Sequence, residues 1–364
     1  MFKILAINPG STSTKIGVFE DHTQLFEKVL RHSTEELAKY ERVADQFEFR
    51  KAEILKALDE NNIIIHSLSA VACRGGVTKP ITGGTYLVTD EVCEFQRTTP
   101  YEHPANLAAI IGKRIADEVG INAYFVDSPM TYELNELASF SGHKEIKRPG
   151  RFHALNQKAI ARQFAKDQGK KYDELNVIVC HLGGGISVGA HEKGLVVDVN
   201  DAGEEGAFTP ERTGSLPVRH VIDLCFSGKY THSEMKKFIQ GNGGLNSYLG
   251  MNDCREIENR ASYDPEARKV LEAMSYQVAK EIGANATVLN GQVDAIILTG
   301  GIAYSEMITN FIKERVSFIA DVYIYPGEKE LEALAEGAIR VLTNEETPKI
   351  VELYPKEEKT LVTV

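Results

Sequence analysis

The chain of 364 residues has few of the features that mark membrane or nucleic-acid-binding proteins. Its longest apolar runs are far shorter than the roughly 18 residues that a membrane-spanning helix needs. Its 41 lysines and arginines are outnumbered by 52 acidic residues, which leaves a net charge of −11 and no dense basic stripe. Because phosphate backbones bind to cationic surfaces, we expect neither a nucleic acid nor a membrane as a partner.

Cysteine is scarce as well, and its pattern disfavours both disulfides and structural zinc. The five cysteines are an odd number and lack CxxC spacing. Cys73 and Cys180 stand at the ends of apolar segments, where buried free thiols are common. The apolar stretch at the N-terminus is brief and ends at Asn8-Pro9-Gly10, unlike that of a secretory signal peptide. We therefore expect a reducing compartment and a cytoplasmic location.

Two common nucleotide-binding motifs are also missing. The segment from Gly10 to Lys15 lacks the second glycine of the GxxxxGK(S/T) motif, which argues against a P-loop nucleotidase. No clean GxGxxG motif follows a predicted strand, because the glycines at 183–185 are consecutive. The sequence therefore disfavours a dinucleotide-binding domain.

What the chain contains instead is one pattern written twice. Each copy is an apolar segment, a tight turn of glycines or small hydroxyl residues, and a second apolar segment, at residues 4–19 and 177–190. Such turns let backbone N–H groups converge on an anion, because glycine has no Cβ to block the approach. We predict two phosphate-binding turns that grip one polyphosphate from opposite sides. Their residues are Asn8, Gly10, Ser11, Thr12 and Ser13 in the first copy, and Gly183, Gly184 and Gly185 in the second.

A third glycine turn follows a later apolar segment. Residues 294–298 predict a buried strand, Gly300, Gly301 and Ile302 follow it, and a helical pattern begins near Ser305. Backbone N–H groups at such a turn bind anionic ligands, so we predict that these three residues contact a nucleotide. Any one of the three turns alone is typical of an ordinary α/β protein, whereas all three in this order favour a nucleotide site.

Strand and helix patterns alternate along the chain, which predicts an α/β protein. Two domains are expected at this length, with a boundary near Arg148-Pro149-Gly150. The predicted domains are residues 1–150, with the first phosphate turn, and residues 151–336, with the nucleotide site; a C-terminal helix at about 337–355 is expected to complete the first. A helix is predicted to open at Thr34 and to extend to Leu58, and a long loop is predicted from Asn200 to Pro217.

In these motifs the chain resembles the acetate and butyrate kinases, which belong to the acetate/sugar kinase–Hsp70–actin superfamily. Besides the three turns, the resemblance rests on Cys73-Arg74-Gly75-Gly76 and on Phe125-Val126-Asp127, which occur in the order seen in that family. Gly184 stands where acetate kinases usually have asparagine, and the chain is shorter than a typical acetate kinase. The butyrate kinases are therefore the nearer match.

The resemblance implies a fold and a reaction. The fold has two domains that share an actin-like, ribonuclease H-like core, with mixed central sheets flanked by helices and ATP in the cleft between them. The reaction is a reversible, Mg²⁺-dependent transfer of the γ-phosphoryl group of ATP to a short-chain carboxylate such as butyrate, giving an acyl phosphate and ADP by direct in-line transfer. Family members also tend to form homo-oligomers.

A carboxylate acceptor makes particular demands on the site. A short fatty acid with a pKa of roughly 4 to 5 is already ionised at neutral pH, so it needs no general base. What it needs is relief from repulsion, because an anion must approach a polyanion. We therefore expect positive hydrogen-bond donors and a metal organised by a carboxylate.

By resemblance, Arg74 positions the acid, Arg212 stabilises the transferring phosphoryl group, and His181 contacts the γ-phosphate. Asp127, by the same resemblance, organises Mg²⁺ through water. Each residue also has an ordinary structural interpretation. Arg74 could form a surface salt bridge, Asp127 could cap a turn, and His181 could be a satisfied core group. Arg212 could pair with an acid of its own loop, which contains Glu204, Glu205 and Glu211.

Four further residues complete the predicted site and its alternatives. Asn8 is expected to contact the transferring phosphoryl group, and His103 is expected to contact the substrate. The metal-associated glutamate of the family matches Glu330 by spacing, with Glu336 as the alternative, although both could be solvated helix positions. Five other histidines are expected to lie on the surface or in turns: His66, His143, His191, His220 and His232.

Two other classes of function stay open at this point. A nucleotide-driven switch, like actin or the Hsp70 ATPase domain, would have no need for Arg74 and Arg212 at an acyl site. A sugar kinase would need a catalytic aspartate as the base for a hydroxyl group, a role that Asp127 could serve. Among carboxylate kinases, acetate, propionate and branched acids such as isobutyrate compete with butyrate, because a pocket discriminates one methylene by only about 1–3 kcal/mol.

Overall fold

The computed structural model describes residues 1–353. They belong to two compact units, the first formed by Met1–Tyr132 with the chain from Lys329 onward, and the second by Glu133–Glu328. The boundaries expected at positions 150 and 336 are therefore corrected to 132 and 328.

The first unit contains a six-stranded sheet and its flanking helices. In chain order its elements are β1 (Lys3–Pro9), β2 (Ser13–Glu20), β3 (Thr23–Arg31), α1 (Thr34–Leu37), α2 (Phe47–Glu60), β4 (Ala70–Arg74), β5 (Thr85–Leu87), α3 (Asp90–Thr98), α4 (Asn106–Val119) and β6 (Asn122–Val126), with 3₁₀ turns at Val43–Gln46 and Ile65–Ser67.

The second unit contains a five-stranded sheet, a small hairpin and more helices. Its elements are β7 (Phe140–His143), β8 (Ile146–Lys147), α5 (Ala154–Asp167), β9 (Asn176–Leu182), β10 (Ile186–Glu192), β11 (Leu195–Val199), α6 (Val218–Phe226), α7 (His232–Ile239), α8 (Gly244–Leu249), α9 (Cys254–Ala261), α10 (Pro265–Val288), β12 (Ala295–Gly300), α11 (Glu306–Val316) and β13 (Val322–Pro326), with 3₁₀ turns at Leu137–Ser139, Tyr172–Glu174 and Gly301–Tyr304. The chain then returns to the first unit with α12 (Glu330–Leu342).

The two large sheets repeat one topology. Their strand orders are β3-β2-β1-β4-β6-β5 and β11-β10-β9-β12-β13. In each sheet an antiparallel meander, β1 to β3 or β9 to β11, is followed by parallel strands, β4 and β6 beside β1 or β12 and β13 beside β9. The pattern written twice in the sequence is thus a fold unit built twice. The predicted α/β class, with two units of shared topology and mixed sheets flanked by helices, is confirmed.

The domain boundary expected at residues 148–150 is wrong because that segment is bound to the second unit. Arg148 donates to the carboxylates of Asp198 and Glu205, at 2.9 and 3.0 Å, and to the carbonyl oxygen of Val199. Asp198 and Val199 belong to β11. The arginine that precedes Pro149 and Gly150 therefore fixes them to the sheet of this unit, so they do not form a linker.

Helix α12 completes the first unit, although not at the predicted position. It begins at Glu330 and ends at Leu342, whereas the helix was expected at about 337–355, of which positions 354 and 355 lie outside the described residues. The helix packs against β1, β4 and β6 with a buried face that includes Leu331, Leu334 and Ala338.

The helix predicted from Thr34 to Leu58 is interrupted. Helix α1 ends at Leu37, and α2 begins only at Phe47. Between them, Arg42 donates to the carbonyl oxygen of Thr99 and to the carboxylate of Glu102, both at 2.9 Å, and these tertiary contacts compete with continued helix. The long loop predicted from 200 to 217 is confirmed, because β11 ends at Val199 and α6 begins at Val218.

The burial expected for Cys73 and Cys180 is confirmed. All five cysteines are free thiols, and Cys73 and Cys180 are buried. No helix within residues 1–353 combines the length and the apolar character that crossing a membrane requires.

Candidate active site

Three predicted site residues of the first unit meet at one edge of its sheet. Arg74 ends β4 and pairs with Val126, the last residue of β6, while the residue before Arg74 pairs with Ile7 of β1. The carboxyl ends of parallel strands share one edge, which is where ligands bind in open α/β sheets. Asn8, Arg74 and Asp127 therefore stand at adjacent positions along this edge.

Arg74, Asn8 and Glu330 form a hydrogen-bonded cluster. Arg74 Nη1 lies 3.0 Å from Glu330 Oε1 and 3.4 Å from Asn8 Oδ1, and Asn8 Nδ2 donates to Glu330 Oε2 at 2.5 Å. Glu330 reaches this position as the first residue of α12. Glu336, the alternative, lies elsewhere, where its carboxylate is 2.5 Å from His22 Nδ1 on the surface. The geometry thus brings Glu330, and not Glu336, to Asn8 and Arg74.

The first predicted phosphate turn joins β1 to β2. The N–H group of Gly10 donates to the carbonyl oxygen of Ser13 at 2.7 Å, which closes the turn. Ser11 and Thr12 are exposed, and their N–H groups have no protein acceptor among residues 1–353. Two successive N–H groups without a protein acceptor form the kind of concavity that binds an anion.

Asp127 is more deeply buried than an open metal ligand would be. Asp127 is only 1% exposed. Its Oδ1 accepts from the N–H group of Gly84 at 2.7 Å, and its own N–H group donates to the Gly84 carbonyl oxygen at 3.0 Å. Its φ of 39° lies in the left-handed region, and residues held there cluster at functional sites. Asp127 therefore does cap a turn, and its hydrogen bonds to Gly84 fix its carboxylate at the same sheet edge as Arg74.

The charge of Arg74 influences the pKa of His103. The N–H group of Ala105 donates to His103 Nδ1 at 3.1 Å, so the proton of the neutral ring resides on Nε2. Desolvation and then the positive charge of Arg74 lower the pKa of this imidazole. At neutral pH His103 therefore offers a neutral N–H donor, which suits a carboxylate or phosphate oxygen.

The predicted site residues of the second unit also share one sheet edge. Thr299 of β12 pairs with His181 of β9 on one side and with Tyr325 of β13 on the other. These three strands are parallel, so the glycine turn after β9 and the Gly300 turn after β12 emerge next to each other.

The Gly300 turn depends on a close backbone approach. Gly300 has a φ of 89°, and a Cβ at this position would lie 2.3 Å from the carbonyl oxygen of Leu182. The N–H and C=O groups of Gly300 bond those of Gly327 at 3.1 and 3.0 Å. Gly301 is exposed, and a Cβ there would meet no atom within 4 Å, whereas Ile302 is buried. Gly301 thus borders open space, and Ile302 belongs to the core beneath it.

His181 is buried and directed at the second phosphate turn. A Cβ on Gly183 would lie 2.9 Å from His181 Nε2, so the glycine leaves room for the ring. Asn156 Nδ2 donates to the carbonyl oxygen of Glu328 at 2.9 Å, which makes Oδ1 the atom that lies 2.7 Å from His181 Nδ1. Because that oxygen can only accept, neutral His181 carries its proton on Nδ1, and Nε2 donates only when the ring is an imidazolium.

A histidine that the sequence analysis did not single out stacks on His181. The rings of His153 and His181 lie 3.8 Å apart with an interplanar angle of 13°. Ser187 Oγ lies 2.8 Å from His153 Nδ1 and accepts from Gln157 Nε2 at 2.8 Å. His153, Asn156 and Gln157 occupy positions i, i+3 and i+4 at the start of α5. This spacing on one polar helix face was the sequence signal that could have identified His153 as a neighbour of the site.

The surface position expected for His191 is wrong. His191 is fully buried, with Nε2 3.0 Å from Gln157 Oε1 and Nδ1 2.7 Å from the Tyr172 hydroxyl. The network that supports His181 therefore extends through the core to Tyr172. The strand that holds His191 is covered on both faces, which alternation of residue types cannot reveal. The other four expected surface histidines are exposed: His66, His143, His220 and His232.

Arg212 also lies at the second phosphate turn. A Cβ on Gly185 would lie 2.7 Å from Arg212 Nη1. This Nη1 donates to the carbonyl oxygen of Ala202 at 2.8 Å, and the buried Nε has no protein partner in the part of the chain that the structure describes. Thr209 Oγ holds the turn itself by donating to the Gly184 carbonyl oxygen at 2.7 Å.

The interpretation of Arg212 as a partner of its loop acids is wrong. Glu204 pairs with Arg151 at 2.9 Å and Glu205 pairs with Arg148 at 3.0 Å. Up to residue 353, no carboxylate forms an ion pair with Arg212. Two of the three loop acids thus pair with arginines outside the loop, and the guanidinium of Arg212 is left available for another anion.

The metal site predicted from sequence has no closed ligand set. Residues 1–353 contain no group of three or more His, Cys, Asp or Glu side chains arranged to hold a metal ion. Both oxygens of Glu330 are bonded by Arg74 or Asn8, and one oxygen of Asp127 is bonded by Gly84. This donor set fits Mg²⁺, which keeps several waters and takes one or two carboxylates together with substrate phosphates.

Comparison with known protein families gives a match over most of the chain. The model of the acetokinase family matches residues 123–363. Butyrate kinase 2 of Clostridium acetobutylicum is 50% identical over 351 residues, which cover 96% of this chain and 99% of that protein. Butyrate kinase 1 of the same organism is 51% identical over 352 residues, again 96% of this chain and 99% of its relative.

Solved structures share the fold at lower identity. The acetate kinase of Porphyromonas gingivalis superposes with a TM-score of 0.77 at 19% identity, covering 94% of this chain and 100% of that one. A propionate kinase from Francisella tularensis gives a TM-score of 0.72 at 20% identity, covering 92% of this chain and 99% of the other. At such identities the likeness concerns the fold.

Proposed function

The chain belongs to the acetokinase family, and from this premise we propose that it is a butyrate kinase, transferring the γ-phosphoryl group of ATP reversibly to butyrate to give butyryl phosphate and ADP. The observation that carries the proposal is the 50% identity with a curated butyrate kinase over 96% of the chain. The geometry at both sheet edges supports it, since each edge presents a phosphate turn beside an arginine.

Arg74 is the residue that holds the butyrate carboxylate. Its contacts with Asn8 and Glu330 use Nη1 alone, and within residues 1–353 its Nε and Nη2 have no acceptor. A guanidinium offers a planar fork that matches a carboxylate, so the remaining edge of Arg74 binds the acid in one orientation. Glu330 and Asn8 hold the arginine in place. The acid is already ionised, so no base takes part.

The phosphoryl group is stabilised by donors rather than by covalent chemistry. In the first unit the N–H groups of Ser11 and Thr12 and the side chain of Asn8 bind the phosphoryl oxygens. In the second unit Arg212, which has no carboxylate partner in the described chain, and the imidazolium of His181 serve the same purpose. These charges offset the repulsion between the attacking carboxylate and the polyphosphate, which permits direct in-line transfer. That both units contact the same ATP stays a prediction from the sequence.

Mg²⁺ is proposed as the metal of the reaction. When bound, it neutralises negative charge on the β- and γ-phosphates. Asp127 and Glu330 are the carboxylates that would hold it, Asp127 through water because it is buried and bonded to Gly84. Glu330 would exchange one of its present donors for the metal or a metal-bound water. A homo-oligomeric state and a cytoplasmic location also stay predictions.

The proposal is tested by trapping the acyl phosphate as its hydroxamate. The protein is incubated with Mg-ATP, hydroxylamine and each acid from formate to hexanoate, with isobutyrate included. A maximum at four carbons is expected, and the ratio of butyrate to isobutyrate then gives the linear or branched preference. A maximum at acetate or propionate would correct the substrate and leave the mechanism. No hydroxamate with any acid, although ATP binds, would overturn the carboxylate kinase and favour the nucleotide switch.

A further inference from the structure

A fully buried arginine lies beneath the first phosphate turn. Arg50 of α2 is 0% exposed, although arginine is rarely buried to this extent. Its Nη1 donates to the carbonyl oxygens of Gly10 and Ser13 at 2.7 and 3.1 Å, and its Nη2 donates to that of Ser11 at 2.9 Å. One guanidinium therefore binds three of the four carbonyl oxygens of residues 10–13.

These contacts determine which way the turn faces. The carbonyl oxygen of Thr12 accepts from the N–H group of His32 at 2.9 Å, so every carbonyl of residues 10–13 has a protein donor. The N–H groups of Ser11 and Thr12, by contrast, have no protein acceptor in residues 1–353. A peptide group directs its N–H and C=O in opposite directions. Drawing the carbonyl oxygens inward therefore turns these N–H groups outward.

The charge of Arg50 has no acidic partner in the protein. Its other contacts are with Gln46 Oε1, at 3.1 Å from Nε and 2.8 Å from Nη2, and with Thr14 Oγ1 at 3.3 Å. No carboxylate pairs with it anywhere in residues 1–353. Its pKa is lowered to about 10 by burial, which still leaves it charged at neutral pH. A buried charge without a counter-ion is expensive, and it favours any anion that binds on the outer side of the turn.

We propose that Arg50 is a positioning residue for the transferring phosphoryl group: it orients the N–H groups of Ser11 and Thr12 and supplies the positive charge behind them, with the phosphoryl group as its counter-ion. The inference rests on the proposed function, in which this turn binds the phosphoryl group beside Arg74. Arg50 itself touches no substrate, because the turn separates them.

The proposal predicts a selective loss of affinity for the phosphorylated substrate. Arg50→Lys keeps the charge but not the fork, so one ammonium nitrogen has to replace the donors of three guanidinium nitrogens. Hydrogen bonds to charged groups contribute about tenfold or more each to an equilibrium, so we expect KM for butyryl phosphate to rise about tenfold. A further rise is expected in Arg50→Met, which also lacks the charge. KM for butyrate, which depends on Arg74, is expected to change less than about twofold in both.

A matched control lies at the next position of the same helix. Lys51 pairs with Glu118 at 2.5 Å and does not touch the turn. Lys51→Met also removes a cation from α2, so it is expected to lower the melting temperature while leaving both KM values as in the parent protein. If the Arg50 variants lower the melting temperature but likewise leave KM for butyryl phosphate unchanged, Arg50 is merely structural and the proposal is overturned.

A second variant decides the matter if the Arg50 variants do not fold. Gln46→Leu removes the acceptor that holds two nitrogens of Arg50 and keeps the arginine itself. A rise of about threefold in KM for butyryl phosphate, with KM for butyrate unchanged, supports the proposal, and an unchanged KM for butyryl phosphate overturns it.

A binding measurement separates this inference from the proposed function. Calorimetric titration with tripolyphosphate needs no turnover. If no acid yields an acyl phosphate, the proposed function fails. The role of Arg50 in binding phosphate still stands if Arg50→Lys weakens tripolyphosphate binding about tenfold and Lys51→Met does not. Equal binding by the parent protein and Arg50→Lys overturns it.

Discussion

Arg74→Ala should raise KM for butyrate far more than KM for ATP. The substitution removes the guanidinium edge that is available to a carboxylate. It also removes the cation that lies 3.0 Å from Glu330 Oε1 in the parent protein. A charge-assisted hydrogen bond contributes about 1.5–3 kcal/mol. The side chain of Arg74 is 33% exposed, so solvent screening brings the total for two such bonds to about 2–3 kcal/mol. This corresponds to a rise of roughly 30- to 150-fold in KM for butyrate.

The assay is the initial rate of ADP formation, with butyrate and ATP varied separately. Arg74→Lys tests the fork, since it keeps the charge and should recover only part of the loss. The control is Arg97→Ala, because Arg97 belongs to the same unit but pairs with Glu94 on the surface at 2.9 Å. That control should leave both KM values unchanged. Equal rises in the two KM values of Arg74→Ala, or no rise in KM for butyrate, would refute the assigned role.

Three further predictions concern the second unit and the thiols. Arg212→Ala should lower kcat about 100-fold while KM for butyrate stays within about threefold, as measured by steady-state kinetics; unchanged turnover would make Arg212 a structural residue. Gly183→Ala places a Cβ 2.9 Å from His181 Nε2, so kcat/KM for ATP should fall by about tenfold or more, and a normal value would show that the ring has room. Desolvation raises the pKa of partly buried Cys93 to about 12, so in the native protein iodoacetamide at pH 8 should label exposed Cys225 and spare Cys93, as mass spectrometry would show; early labelling of Cys93 would contradict its raised pKa.

The strands and turns of this fold could be predicted from the sequence, because they depend on residues that are neighbours in the chain. The apolar segments before Asn8 and His181 and the glycine turns after them follow from residue type and spacing alone. The equivalence of the two copies also followed, because the same pattern was visible twice. These elements and the residues at their ends were predictable without knowledge of the tertiary structure.

The rest depended on contacts between residues distant in the sequence. The glycine and proline after Arg148 are typical of a linker, but that arginine is bound to β11, so the domain boundary lies earlier. Spacing favoured Glu330 and left Glu336 as an alternative, whereas the start of α12 brings only Glu330 to Arg74. Arg50, on an ordinary helical segment, gave no signal, because its role arises from carbonyl oxygens about 40 positions away.

The burial of the polar residues around His181 could not be predicted from the sequence, for a similar reason. Asn156 and His153 are polar residues at the start of a helix, where solvent exposure is the usual outcome. Only the packing of α5 against β9 brings them to His181. Because Asn156 fixes the proton of the neutral ring on Nδ1, His181 can donate from Nε2 to a phosphate oxygen only when the ring is an imidazolium.

The central claim is that the acceptor of the phosphoryl group is a carboxylate. Phosphorus NMR of the protein with Mg-ATP and butyrate tests it directly, with butanol as the hydroxyl analogue in a parallel sample. The account predicts an acyl phosphate resonance that grows in step with ADP in the butyrate sample and no phosphorylated product from butanol. Release of inorganic phosphate without acyl phosphate, or phosphorylation of butanol in place of butyrate, would contradict it.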